Sequence, residues 1–180
     1  MITFILIGIN LVAFYLIRKG RLDSDNLAMS YYKVFHNREF YRLLTAAFTH
    51  VDLRHIAFNM ISLYVVGSDI EAIFGPGRLL IIYFGSMIFG EMASLWMHHN
   101  IGEDYTMSIG ASGAIFGLEG AYYMLIFFIF GISAIRNSLS SLAALFLMSI
   151  QPHVDGKTHL CCMIVGCIIA YLMIQLMILV

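Results

Sequence analysis

Charge is scarce in this chain: 12% of its 180 residues are Asp, Glu, Lys or Arg, and the formal net charge is −1. Such a balance offers no patch for nucleic acid or for an acidic partner. Only two prolines interrupt it, so little breaks the long apolar runs. Cysteine is rare and odd in number. Cys161, Cys162 and Cys167 all fall in the last apolar segment, where they read as small core residues and not as a disulfide framework. The seven histidines have no cysteine or carboxylate partners at zinc-ligand spacing, so neither a metal nor another cofactor is expected. The first apolar stretch lacks a basic leader and a small-residue cleavage site. It reads as a retained span, not a removed signal peptide.

What is present is apolar: 61% of the residues are hydrophobic, outside the range of soluble domains. A spanning helix needs about 20 mostly apolar residues, with shorter ones tolerated by tilt and bilayer thinning. Ile2–Ile17, Leu53–Val66, Leu79–Met97, Gly113–Ile132, Leu139–Ile150 and Leu160–Val180 meet that description. The expected fold is an all-α membrane protein of six transmembrane helices, a single domain over residues 1–180. Its setting is the lipid bilayer.

The connections are uneven. The first, about residues 18–52, is the longest and mixes charges with Tyr31, Tyr32, Phe35, Phe40 and Tyr41. A plain linker would be Gly/Ser-rich or uniformly polar. This one is amphipathic and is expected at the membrane interface, rings in the headgroup region. The remaining loops (67–78, 98–109, 133–138 and 151–158) are short, and the chain has no internal repeat. That weakens a transporter built from inverted repeats.

Polar groups at membrane depth are costly and point to function. Three clusters stand out. Ser112 lies in Gly110-Ala111-Ser112-Gly113 at the head of an apolar helix, His159 opens the last helix, and His55 and Asn59 share one face of another. Each has a bland reading. A lone membrane serine bonds the carbonyl one turn back; a histidine at a helix start caps or meets water; a His/Asn pair bonds itself or the backbone. Together they supply a nucleophile, a base and hydrogen-bond donors, the parts of a serine hydrolase. Small residues at four-residue spacing (Gly113, Gly117 and Ala121; Cys162, Gly166 and Ala170) would let the two helices approach closely.

These motifs resemble the rhomboid family of intramembrane serine proteases, through nearly the whole chain. The family's Gly-x-Ser-Gly reads Gly110-Ala111-Ser112-Gly113. Its His-x-x-x-Asn reads His55 and Asn59, with His50 upstream, and its Glu-x-x-x-Gly reads Glu71 and Gly75. The histidine of the last helix reads His159, followed by Gly166, and the Trp-Arg pair of the first loop becomes Tyr41-Arg42. Two departures are visible. Cys161-Cys162 stand where the family usually has glycine, and Phe116 stands where bacterial relatives often carry tyrosine.

The resemblance implies a Ser112–His159 dyad with no third carboxylate. The oxyanion would be held by the Ser112 backbone N–H after the Gly110 turn and by the His55 and Asn59 side chains. Arg42, Glu71, Gly75, Gly113 and Gly166 would be structural. The implied substrates are transmembrane proteins whose helix unwinds near its end, since a helix in lipid satisfies its own backbone. Two expectations oppose each other on orientation. Six of ten Lys/Arg residues (Arg18, Lys19, Arg21, Lys33, Arg38, Arg42) lie in the first loop, which the positive-inside rule places in the cytoplasm. The resemblance places that loop outside, with the catalytic face. A rival reading is a transporter or channel using His55, Asn59, Glu91 and Glu119 as an ion path. Glu119 lies seven residues beyond Ser112, about 10 Å deeper by helix rise; its bland reading is a carboxyl bonded to a neighbouring helix. A non-catalytic binder of membrane helices is the third possibility.

Overall fold

A computed structural model describes residues 1–137 and 154–178. The described residues form helices α1 (Ile2–Arg18), α2 (Ser24–Leu27), α3 (Arg42–Thr45), α4 (Leu53–Phe74), α5 (Pro76–Asn100), α6 (Ser112–Phe130), α7 (Ile132–Asn137) and α8 (Gly156–Ile178). Among the described residues the only strand-like pairing is a single bridge between Met29 and Ser108. Helices α4, α5, α6 and α8 are long and apolar enough to cross a membrane, and α1 is apolar but shorter. The expected span Leu139–Ile150 lies outside the described residues.

Local chemistry sets the helix ends. Asp52 caps α4 by accepting the His55 N–H at 2.8 Å, and that bond holds its carboxyl below the usual range. Helix α4 then runs past Val66 to Phe74 and stops at Gly75, where φ is +85°. Pro76 follows at once as the first residue of α5, a position that needs no N–H. The expected loop over 67–78 is therefore mostly helix, broken only at Gly75. Its polar residues sit in helix because Glu71 has a distant partner. Glu71 accepts from the Ile2 and Thr3 N–H groups at 2.7 and 3.0 Å and from the Thr3 hydroxyl at 2.7 Å. It thereby satisfies donors at the start of α1 that have no partner within that helix.

The first loop packs a small core against α5. Met29, Val34, Leu43, Ala46 and Leu95 are buried together, with Tyr31 and Phe35 packed against them. Phe40 and Tyr41 remain exposed, so only part of the expected ring belt faces outward. Arg42 staples this region. It is buried, meets Glu39 at 2.5 Å, and donates to the carbonyls of Asp25 and Ala28 at 2.9 and 2.7 Å.

Among the described helices α6 and α8 make the most extensive contact, and both small-residue stripes lie buried. A side-chain carbon on Gly166 would overlap the Gly117 carbonyl, and one on Gly120 would overlap the Met163 carbonyl. Where lipid removes the hydrophobic drive between helices, such backbone proximity supplies the packing. Cys162 does not hold α8 away. Its backbone and thiol sit against Gly90 of α5, with Cα 2.5 Å from the place a Cβ on Gly90 would take. Glycine in α5 makes the room that glycine at 162 would have made.

Candidate active site

Three segments converge on Ser112. The loop before α6 is tied down by the Gly110 N–H, which donates to the Ala46 carbonyl at 2.8 Å, and by the paired backbones of Met29 and Ser108. Gly110 adopts φ +106°, and a Cβ there would stand 2.7 Å from His55 Nε2. Only glycine leaves that space open. Ser112 is the first residue of α6, where backbone N–H groups lack intrahelical partners and point outward.

His159 lies in the first turn of α8, and its Nε2 is 2.9 Å from Ser112 Oγ. For the hydroxyl to donate, Nε2 must be the unprotonated ring nitrogen. Phe116, one turn beyond Ser112, stacks on the imidazole with ring centroids 4.1 Å apart at 10°. Asn59 is buried, and its Nδ2 has no hydrogen-bond partner among the described residues. It lies 3.4 Å from the position of a Gly110 Cβ, beside His55. A nucleophile–base pair and unspent donors thus face one small space.

His50 sits behind this space. Its ring meets His55 edge-on at 5.0 Å, and its Nε2 is 3.5 Å from the Ala111 N–H. Burial, reinforced by His55, pushes the His50 pKa down to about 4, so the ring is neutral and able to accept.

The sequence reading missed a polar network beside the dyad. His98 Nδ1 is 2.8 Å from Glu103, and its Nε2 is 3.1 Å from Asp155. Asp155 in turn accepts the Thr158 N–H and hydroxyl at 3.2 and 2.7 Å, and Thr158 meets Ser94 at 2.5 Å. Lys157 donates to Glu103 at 2.7 Å; that bond and the one from His98 hold the Glu103 carboxyl below its usual range. The network ties the end of α5 to the turn that carries His159. His98 and Asp155 lie 57 residues apart, so no local spacing signals their pairing.

Two cavities flank the dyad. The larger, about 420 Å³, is lined by Ser112, His159, His55, Gly110, Gly113 and Glu91, among others. The smaller, about 110 Å³, takes in Asn59, Phe116 and Glu119. The remaining expected residues lie elsewhere: Arg42 in the first loop, Glu71 and Gly75 at the far end of α4, and Gly166 at the contact with Gly117.

A family model described as Rhomboid domain matches residues 37–176. The chain is 36% identical over 124 residues to Rhomboid protease GluP of Bacillus subtilis, covering 66% of this chain and 23% of that protein. It is 32% identical over 143 residues to YdcA of the same organism, whose rhomboid-protease name is itself provisional, covering 77% and 70%. It is also 32% identical over 139 residues to Inactive RHOMBOID-like protein 8 of Arabidopsis thaliana, covering 73% and 38%. The chain thus spans about a quarter of the first of these relatives and most of the second. Its matched region covers the four long apolar helices of the described residues, save the last two residues of α8. The chain belongs to the rhomboid family of integral membrane proteins.

Proposed function

We propose that this protein is an intramembrane serine endopeptidase that cleaves membrane-anchored proteins within or near their transmembrane helix. The observation that carries the reading is the 2.9 Å contact between His159 Nε2 and Ser112 Oγ, at one end of the α6–α8 contact. In this mechanism Ser112 attacks the scissile carbonyl while His159 takes its proton, then returns it to the leaving amine. The Ser112 N–H, His55 and Asn59 stabilise the oxyanion, and Gly110 keeps their space clear. Each such donor is typically worth about 10²–10³ in rate. The catalytic pair is a dyad; Phe116 stacking on the imidazole and the turn that Asp155 and His98 hold orient the base. The four long helices and α1 belong, in this reading, to a single domain over residues 1–180.

Family membership alone does not separate a protease from an inactive relative, so the test is chemical. A fluorophosphonate probe should label the wild-type protein at Ser112 and leave Ser112→Ala unlabelled. A membrane substrate screen with Ser112→Ala as control should return cleaved single-span proteins. Equal cleavage by both proteins would remove the reading.

A further inference from the structure

Glu91 is a buried carboxyl beside the nucleophile that the mechanism above does not use. It projects from the middle of α5, is 2% exposed, and its Oε2 has no hydrogen-bond partner among the described residues. Its Oε1 lies 3.4 Å from the place a Cβ on Gly113 would take, immediately past Ser112. The same carboxyl lines the larger cavity, whose other walls include the apolar side chains of Val51, Met107 and Ile109. An unpaired polar group in such surroundings is costly to keep. It becomes an asset when a ligand group supplies the missing partner.

We propose that Glu91 determines substrate specificity, selecting a side chain that carries a hydrogen-bond donor at the residue just before the scissile bond. This rests on the serine-protease reading. Ser112, Gly113 and Glu91 line one cavity, so a substrate carbonyl held at Ser112 would bring the side chain next to it within reach of Glu91. A carboxyl accepts a hydrogen bond whether ionised or protonated, so the selection needs no particular charge state. A site built to hydrogen-bond one group rejects the analogue that lacks it far better than an apolar pocket rejects an extra methylene.

The experiment uses the full-length protein in vesicles and one single-span substrate, varied only before the scissile bond as Ser or Ala and as Gln or Met. Wild type should cleave at least one donor-bearing form about tenfold faster in kcat/KM than its apolar counterpart. Glu91→Met should erase or invert that ratio, and Glu91→Gln, which keeps an acceptor, should retain part of it. Two results overturn the inference: a ratio unchanged in Glu91→Met, or an equal loss on all four substrates, which marks a structural role. Should Glu91→Met fail to fold, Glu91→Ala, which also leaves no acceptor, decides: an unaltered ratio there counts against selection by the carboxyl. Labelling of Ser112 by a fluorophosphonate separates the two proposals. A protein that labels and cleaves without preference sinks only this one; a protein that neither labels nor cleaves sinks both.

Discussion

Phe116 lies flat on His159, ring centroids 4.1 Å apart, while the imidazole reaches Ser112 Oγ at 2.9 Å. The ring fixes the plane of the base without offering it a hydrogen bond. Phe116→Leu should therefore lower kcat roughly tenfold through misplacement of the base, whereas Phe116→Tyr should stay within about twofold of wild type, because stacking survives. Steady-state kinetics on one substrate checks both. A Phe116→Leu enzyme with unchanged kcat would show that stacking does not orient the base.

Ser112→Ala and His159→Ala should each abolish cleavage, by about 10⁴-fold or more, and the double variant should lose little beyond either. Thermal unfolding in detergent should change little, since the contact between α6 and α8 rests chiefly on backbone proximity at Gly117, Gly120 and Gly166 and not on this one interhelix bond. An additive double variant would mean that the two residues do not act as a unit.

His55→Ala and Asn59→Ala should reduce kcat by about 10²–10³ while KM moves little, because the oxyanion exists only after attack. Gly110→Ala should be worse than either. It imposes a Cβ 2.7 Å from His55 Nε2 at a φ of +106°. Raised KM at constant kcat in the first two variants would reassign those residues to substrate positioning.

Cys162→Gly should destabilise the protein by about 1–2 kcal/mol, combining a small void with the loss of helix propensity. The thiol fills space that Gly90 and Gly113 leave open, and α5 and α8 already touch at backbone distance. Were the thiol instead a spacer between helices, glycine would let them close up and stability would hold. Denaturant unfolding of Cys162→Gly, Cys162→Ala and wild type decides between them.

Stability should fall on acidification through a window set by His50. Its pKa is lowered from 6.5 to about 4 by burial and by His55. The unfolded chain therefore binds a proton near pH 6.5 that the folded protein refuses until about pH 4. The stabilising contribution is complete above pH 6.5 and lost as pH falls toward 4, about 3 kcal/mol in all. His50→Gln should flatten unfolding free energy over that window. An equal slope in wild type and variant would place the acid sensitivity elsewhere.

The class and much of the candidate site were legible in composition and local spacing. Sixty-one per cent hydrophobic residues with sparse charge require a membrane-type bundle, because the backbone in lipid must satisfy itself within helices. The Gly-x-Ser-Gly turn, the His55–Asn59 pair and His159 were legible because each sits within a single helix turn or loop, where spacing fixes a shared face. The rest depended on contacts between residues far apart in the chain. Glu71 was legible as a family motif, yet its role in capping α1 was not, since its partners Ile2 and Thr3 lie 69 and 68 residues away. His98 joins Asp155 across 57 residues, and the room for Cys162 comes from Gly90 on another helix. Periodicity reports which residues share a face; which faces meet, and at what distance, is fixed only when the helices pack.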